Sequence, residues 1–174
     1  MHTPRTSICL RFVAAISSLA ALIAFGWSQS MFGSDTVMVA DLGHEVVSPV
    51  TGATEYTFVW SLIIASIELS LPVPIHPAIY LTFDLCAWAA LVSTLIIYLT
   101  LHEPYYTGDG YGCGINGRPD CDGKLVANVE HFGTAMAFLA LIIHVGFFAW
   151  ACRATHKARK SDSKGQDIDL DRTV

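Results

Sequence analysis

LPVPIHPAIYLTFDLCAWAALVSTLIIYLTL, residues 71–101, decides the fold. Pro72 and Pro74 each remove a backbone donor and end a helix arriving from the N-terminal side, whereas Pro77 suits the first turn of a new one. From Pro77 to Leu101 the chain is apolar except for Asp84 and a few hydroxyls. That length is enough to cross the hydrocarbon of a bilayer, which takes about 20 helical residues. The proline-rich connection leaves room only for a tight turn, so the helices on either side are antiparallel neighbours.

Three further apolar stretches flank this hairpin. Span one is LRFVAAISSLAALIAFGW (10–27), span two YTFVWSLIIASIELSL (56–71) and span four VEHFGTAMAFLALIIHVGFFAWAC (129–152). Arg5 and Arg11 ahead of span one resemble the start of a secretory signal. Three more spans and the lack of a small-residue cleavage pattern favour an uncleaved helix. The 174 residues are 53 % apolar and 14 % charged, with mean hydropathy +0.49, outside the range of a soluble domain. The fold expected is all-α: an integral membrane four-helix bundle with a short inner hairpin and two longer outer connections. Four spans leave no room for a separate soluble catalytic domain.

Basic residues orient the bundle. Arg5 and Arg11 precede span one, and Arg153, Lys157, Arg159 and Lys160 follow span four, while the connections carry only Arg118 and Lys124. Cytosolic segments hold the excess of lysine and arginine, so both termini are expected in the cytosol, in a plasma or secretory-pathway membrane. The organisation is then a cytosolic segment 1–9, a membrane domain 10–152 and a cytosolic tail 153–174. The tail is basic near the bilayer, suited to anionic lipids, and acidic beyond, with a disordered distal half expected. Cys113 and Cys121, separated by seven residues of the glycine-rich second outer connection, are expected to form a disulfide in an oxidising compartment. Cys9 and Cys152 lie at inner helix ends as palmitoylation candidates.

Ionisable residues within the spans carry the structural expectations. A carboxylate in lipid must face the bundle and find a partner. The hairpin brings Glu68 and Asp84 toward the layer of Arg11, which predicts an ion pair of Arg11 with one of the two. Ion or proton transport by these groups is disfavoured because no polar stripe is evident toward the outer face. His144, near the middle of span four, is read as a packed polar residue bonded to a serine such as Ser18 or Ser66 or to a backbone carbonyl; a lone midplane histidine is a poor haem-ligand signal. Small residues such as Ala14, Ser18, Ala21, Ala87, Gly133 and Ala137 permit close helix packing. Trp27, Trp150, Tyr56 and Tyr98 fit interfacial anchoring, and Trp60 and Trp88 read as deeper packing.

The chain holds no phosphate-binding glycine loop with lysine, no His-Glu-x-x-His and no Gly-x-Ser-x-Gly elbow. No catalytic, cofactor or metal residues are therefore assigned, and no enzymatic activity is expected. The short basic run beside the membrane does not suggest nucleic-acid binding.

The arginines before span one, the aromatic start of span two, the short inner hairpin and TFDLCAWAALVS, with Asp84 and Trp88 early in span three, resemble the MARVEL-like family of four-span (tetraspan) membrane proteins, fungal type. The resemblance covers about residues 5 to 155. It implies membrane organisation or vesicle trafficking through lateral contacts with lipids, other integral membrane proteins or further copies of the chain, and it marks Asp84 and Trp88 as bundle determinants. An accessory subunit of a transporter or channel is the alternative.

Overall fold

The computed structural model describes residues 4–31, 41–70, 77–101 and 123–171, which form four helices: α1 Pro4–Met31, α2 Asp41–Ser70, α3 Pro77–Leu101 and α4 Gly123–Asp171. Each contains a membrane-spanning stretch: Thr6–Ser30, Val47–Ser70, Ala78–Leu101 and Leu125–His156. No β-strand occurs among the described residues. The fold is an all-α bundle of four membrane-spanning helices.

Prolines at positions 4 and 77 open α1 and α3, where the missing N–H has no helical acceptor to lose. The helices pack in a ring, α1 on α2, α2 on α3, α3 on α4 and α4 on α1, leaving α1 and α3 on one diagonal and α2 and α4 on the other. Side-chain pairs fix an up-down-up-down course: Ser7 meets Glu68 and Ser18 meets Thr57, so α1 and α2 are antiparallel. Arg11 meets Asp84 and Phe25 meets Tyr98, so α1 and α3 run parallel. Ser7, Glu68 and Tyr80 therefore mark the end of the bundle that carries both chain termini, and Ser28, Tyr98 and Glu130 mark the far end.

The buried positions recur every seven residues. On α1 they include Arg11, Ser18 and Phe25 with Ala14, Ala21 and Ser28; on α2, Val47, Thr54 and Ser61 with Val50, Thr57 and Ile64. Asp84, Leu91 and Tyr98 repeat on α3, and Glu130, Ala137, His144 and Ala151 on α4. A seven-residue repeat keeps one seam facing inward in left-handed, near-parallel packing, which is the geometry most membrane bundles adopt. Outside this seam the helices present Ile16, Ile23, Ile63, Ile96, Phe132 and Ile142 to lipid. At Gly133 α4 comes close to α1: a Cβ there would sit 3.0 Å from that of Ala24.

Three differences from the sequence expectation concern boundaries and covalent links. Helix α2 begins at Asp41 rather than near Tyr56, and it absorbs Pro49. The loss of one helical hydrogen bond there is offset because Val47, Val50 and Ala53 pack into the seam. Helix α4 runs unbroken past Cys152 to Asp171, through the segment read as a tail. The third difference is the disulfide. Among the described residues there is none: Cys9, Cys86 and Cys152 are free and exposed, and Cys113 and Cys121 lie outside the described residues. A short glycine-rich separation permits a loop to close but does not bring two Cα atoms within the roughly 4.4–6.8 Å that a disulfide demands, so that expectation is withdrawn.

Candidate functional site

All four helices contribute to one polar layer centred on Asp84, which is fully buried. Arg11 of α1 donates from Nη1 to Asp84 Oδ1 and from Nη2 to Oδ2, both at 2.6 Å, in a two-pronged ion pair across the bundle diagonal. Trp60 of α2 donates its indole Nε1–H to Oδ1 at 3.1 Å. His144 of α4 places Nδ1 3.0 Å from the same oxygen, and its Nε2 lies 3.4 Å from Ser61 Oγ on the opposite helix. With Asp84 ionised, a neutral imidazole donates from Nδ1, which leaves Nε2 to accept the Ser61 hydroxyl. The Arg11 guanidinium also stacks 3.7 Å from the Phe147 ring centroid and 5.7 Å from that of Tyr80. Planarity suits arginine to this setting: the fork takes the carboxylate edge-on while its face rests on aromatic carbon.

Two further polar clusters bracket this layer. Toward the termini, the hydroxyl of Tyr80 donates to Glu68 Oε1 at 3.0 Å and that of Ser7 donates to Oε2 at 3.4 Å. At the far end, Glu130 is buried and accepts from Ser28 Oγ and, at 3.1 Å, from Tyr98 OH. Between the Asp84 and Glu130 layers, Thr57 donates to Ser18 Oγ at 3.0 Å, with Thr54 and Ser17 also buried at this level. Polar groups therefore recur toward the far end, interrupted by the apolar layer of Ala21, Phe25, Val50, Leu95 and Ala137 between Thr54 and Glu130.

Of the residues singled out from sequence, Arg11, Asp84 and His144 meet in one layer. Glu68 stands apart from Arg11, one heptad from Ser61 on α2, with Ser7 and Tyr80. Trp88 lies outside the layer: it is half-buried on the α3–α4 seam, its ring 6.1 Å from Phe148, and its Nε1 has no hydrogen-bond partner. The histidine's serine is Ser61, not Ser18 or Ser66. Trp60, Ser61, Tyr98 and Glu130 are the residues that sequence reasoning missed. Glu130 falls at the very start of span four and Tyr98 reads as an interfacial anchor, yet both are buried, because α4 begins at Gly123 and carries Glu130 into the bundle. A signal was present on α2, where Thr54, Thr57, Ser61 and Glu68 are spaced by three, four and seven and so share one helical face.

Ser61, His144 and Asp84 follow the order of nucleophile, base and orienting acid that acyl-transfer sites use, at one level of the bundle. Both Ser61 and His144 are fully buried, however, so an ester or amide does not reach Oγ in this arrangement. A proton does. Among the described residues no group of three or more His, Cys, Asp or Glu side chains is placed to hold a metal ion. The chain matches no family model, no curated protein and no solved structure.

Proposed function

We propose that this chain is a membrane-organising, trafficking-associated integral membrane protein that acts through lateral contacts with lipids and other membrane proteins. The observation that carries the reading is the division of its side chains: Arg11, Asp84, Glu130 and His144 turn inward and pair, while large apolar side chains on all four helices face outward. A protein built this way meets its surroundings sideways, through packing in the plane of the membrane. The resemblance to the MARVEL-like family supports the same reading. Both termini lie in the cytosol of a plasma or secretory-pathway membrane, where the basic residues after span four favour anionic lipid.

A second reading, an accessory subunit clasping a transporter or channel, is favoured by one asymmetry. The spans of α3 and α4 are 28 % buried, against 44 % for α1 and α2, so one side of the bundle keeps more surface for a neighbour. Proximity labelling in native membranes, paired with purification in mild detergent, tests the proposal. A varied set of membrane neighbours without fixed stoichiometry supports organisation. One stoichiometric transporter or channel, losing activity when this chain is absent, establishes the accessory reading instead.

A further inference from the structure

Three ionisable clusters stack along the bundle axis, and the seven-residue repeat sets their spacing. Asp84 and Tyr98 are fourteen residues apart on α3, about 21 Å at 1.5 Å per residue. The Asp84 and Glu130 layers are therefore close enough to fit together within a hydrocarbon thickness of about 30 Å. Ionisable groups at that depth are expensive, and where they occur in series they mark pathways for ions or protons.

The space between the two carboxylates is lined on one side by hydroxyls. Ser61, Thr57 and Thr54 follow one another along α2 at about one turn each, Thr57 and Thr54 also bonded to the carbonyls of Thr54 and Thr51, and Ser18 faces Thr57 from α1, with Ser17 buried beside it. A turn advances 5.4 Å, a distance that one water spans with two hydrogen bonds of about 2.8 Å. Ser17 Oγ and Arg11 Nε are buried without a hydrogen-bond partner, and polar atoms in that condition take water. One stretch is apolar. Ala21, Phe25, Val50, Leu95 and Ala137 pack together between Thr54 and Glu130, with Phe25 set edge-on against Tyr98 at 5.5 Å.

We propose that the bundle conducts protons along this track, from Glu130 through the Thr54, Thr57 and Ser61 hydroxyls to His144 and Asp84, and on to the Tyr80–Glu68 pair, with Phe25 as its narrowest point. Each hydroxyl receives a proton from behind and passes its own forward, and His144 takes one on Nε2 and releases the one on Nδ1 to Asp84, which leaves the Nε2–H tautomer. Ring rotation that exchanges the two nitrogens and rotation of each hydroxyl restore the starting state before the next proton passes. Full burial of Ser61 and His144 excludes larger solutes from the same route. The activity goes beyond lateral association and needs no partner, so its failure leaves the lateral-contact proposal standing.

The purified full-length chain, reconstituted in liposomes holding a trapped pH-sensitive dye and driven by a potassium diffusion potential with valinomycin, tests it. The wild-type chain is expected to acidify or alkalinise the lumen several-fold faster than protein-free liposomes. Thr57→Val, which preserves shape and removes one hydroxyl, is expected to slow this at least threefold while retaining helical content and a monodisperse profile. Phe25→Ala, with the narrow point removed, is expected to raise it. Wild-type flux equal to that of protein-free liposomes, or folded Thr57→Val as fast as wild type, overturns the proposal.

Discussion

Replacing Asp84 with Asn isolates what the central carboxylate contributes. Asparagine keeps an oxygen for the donors on Trp60 and His144 but presents an N–H pair to one arm of the Arg11 fork and carries no charge. Neutral hydrogen bonds between membrane helices are worth about 0.6 kcal/mol on average, so disturbing those of Trp60 and His144 accounts for about 1 kcal/mol at most. Orphaning a buried charge costs about 3–5 kcal/mol, and Arg11 is as buried as its partner. The charge term wins. A loss of about 3–5 kcal/mol is expected for Asp84→Asn, measured by SDS titration of detergent-solubilised protein followed through its helical circular dichroism. Arg11→Met is expected to cost less, because a carboxylate left alone takes up a proton whereas a guanidinium keeps its charge. The double variant then recovers most of the loss, since neither charge remains to be paired, and the cycle yields a coupling of about 2 kcal/mol or more. An Asp84→Asn loss under about 1 kcal/mol, or a double variant as unstable as the sum of the singles, refutes the reasoning.

Other outcomes follow from the same coordinates. Trp60→Phe removes the indole donor but keeps a ring to stack on Phe83, whose centroid lies 4.4 Å away, so the same titration should register only about 1 kcal/mol. Gly133→Leu drives a side chain into Ala24 and Phe25 and is expected to destabilise by about 1–3 kcal/mol, whereas Gly146→Leu, with nothing within 4 Å of its Cβ, stays within about 0.5 kcal/mol of wild type; equal losses would show that α1 and α4 do not meet at Gly133. Tags at the two termini should share the same accessibility to protease in sealed vesicles, since four spans return the chain to its starting side, and opposite accessibility would remove one span. Cys9, Cys86 and Cys152 should all be alkylated by a membrane-permeant maleimide without prior unfolding, as free exposed thiols; protection of any one until denaturation would place it in a contact absent from this bundle.

The number of crossings, the hairpin at Pro72–Pro77 and the inward placement of the charged residues were legible in the sequence. Each follows from a local rule: closely spaced prolines at the end of an apolar stretch stop a helix, apolar length must match the bilayer, and a charge in hydrocarbon must turn away from lipid. Sequence could narrow the partners of Arg11 to Glu68 and Asp84 because both sit near the same end of the hairpin. It could not choose between them. The choice came from the ring order of the helices, which sets α1 across the diagonal from α3 and joins Arg11 to Asp84 while leaving Glu68 to Ser7 and Tyr80. The same ring order turned Trp60 from packing into a donor, chose Ser61 over the serines expected for His144, and set Glu130 at the start of span four into a buried bond with Tyr98. Depth along the membrane is encoded one helix at a time, by length and position. Which residues meet at a given depth depends on the rotation and neighbour order of four helices at once, and those are settled only when the seams pack.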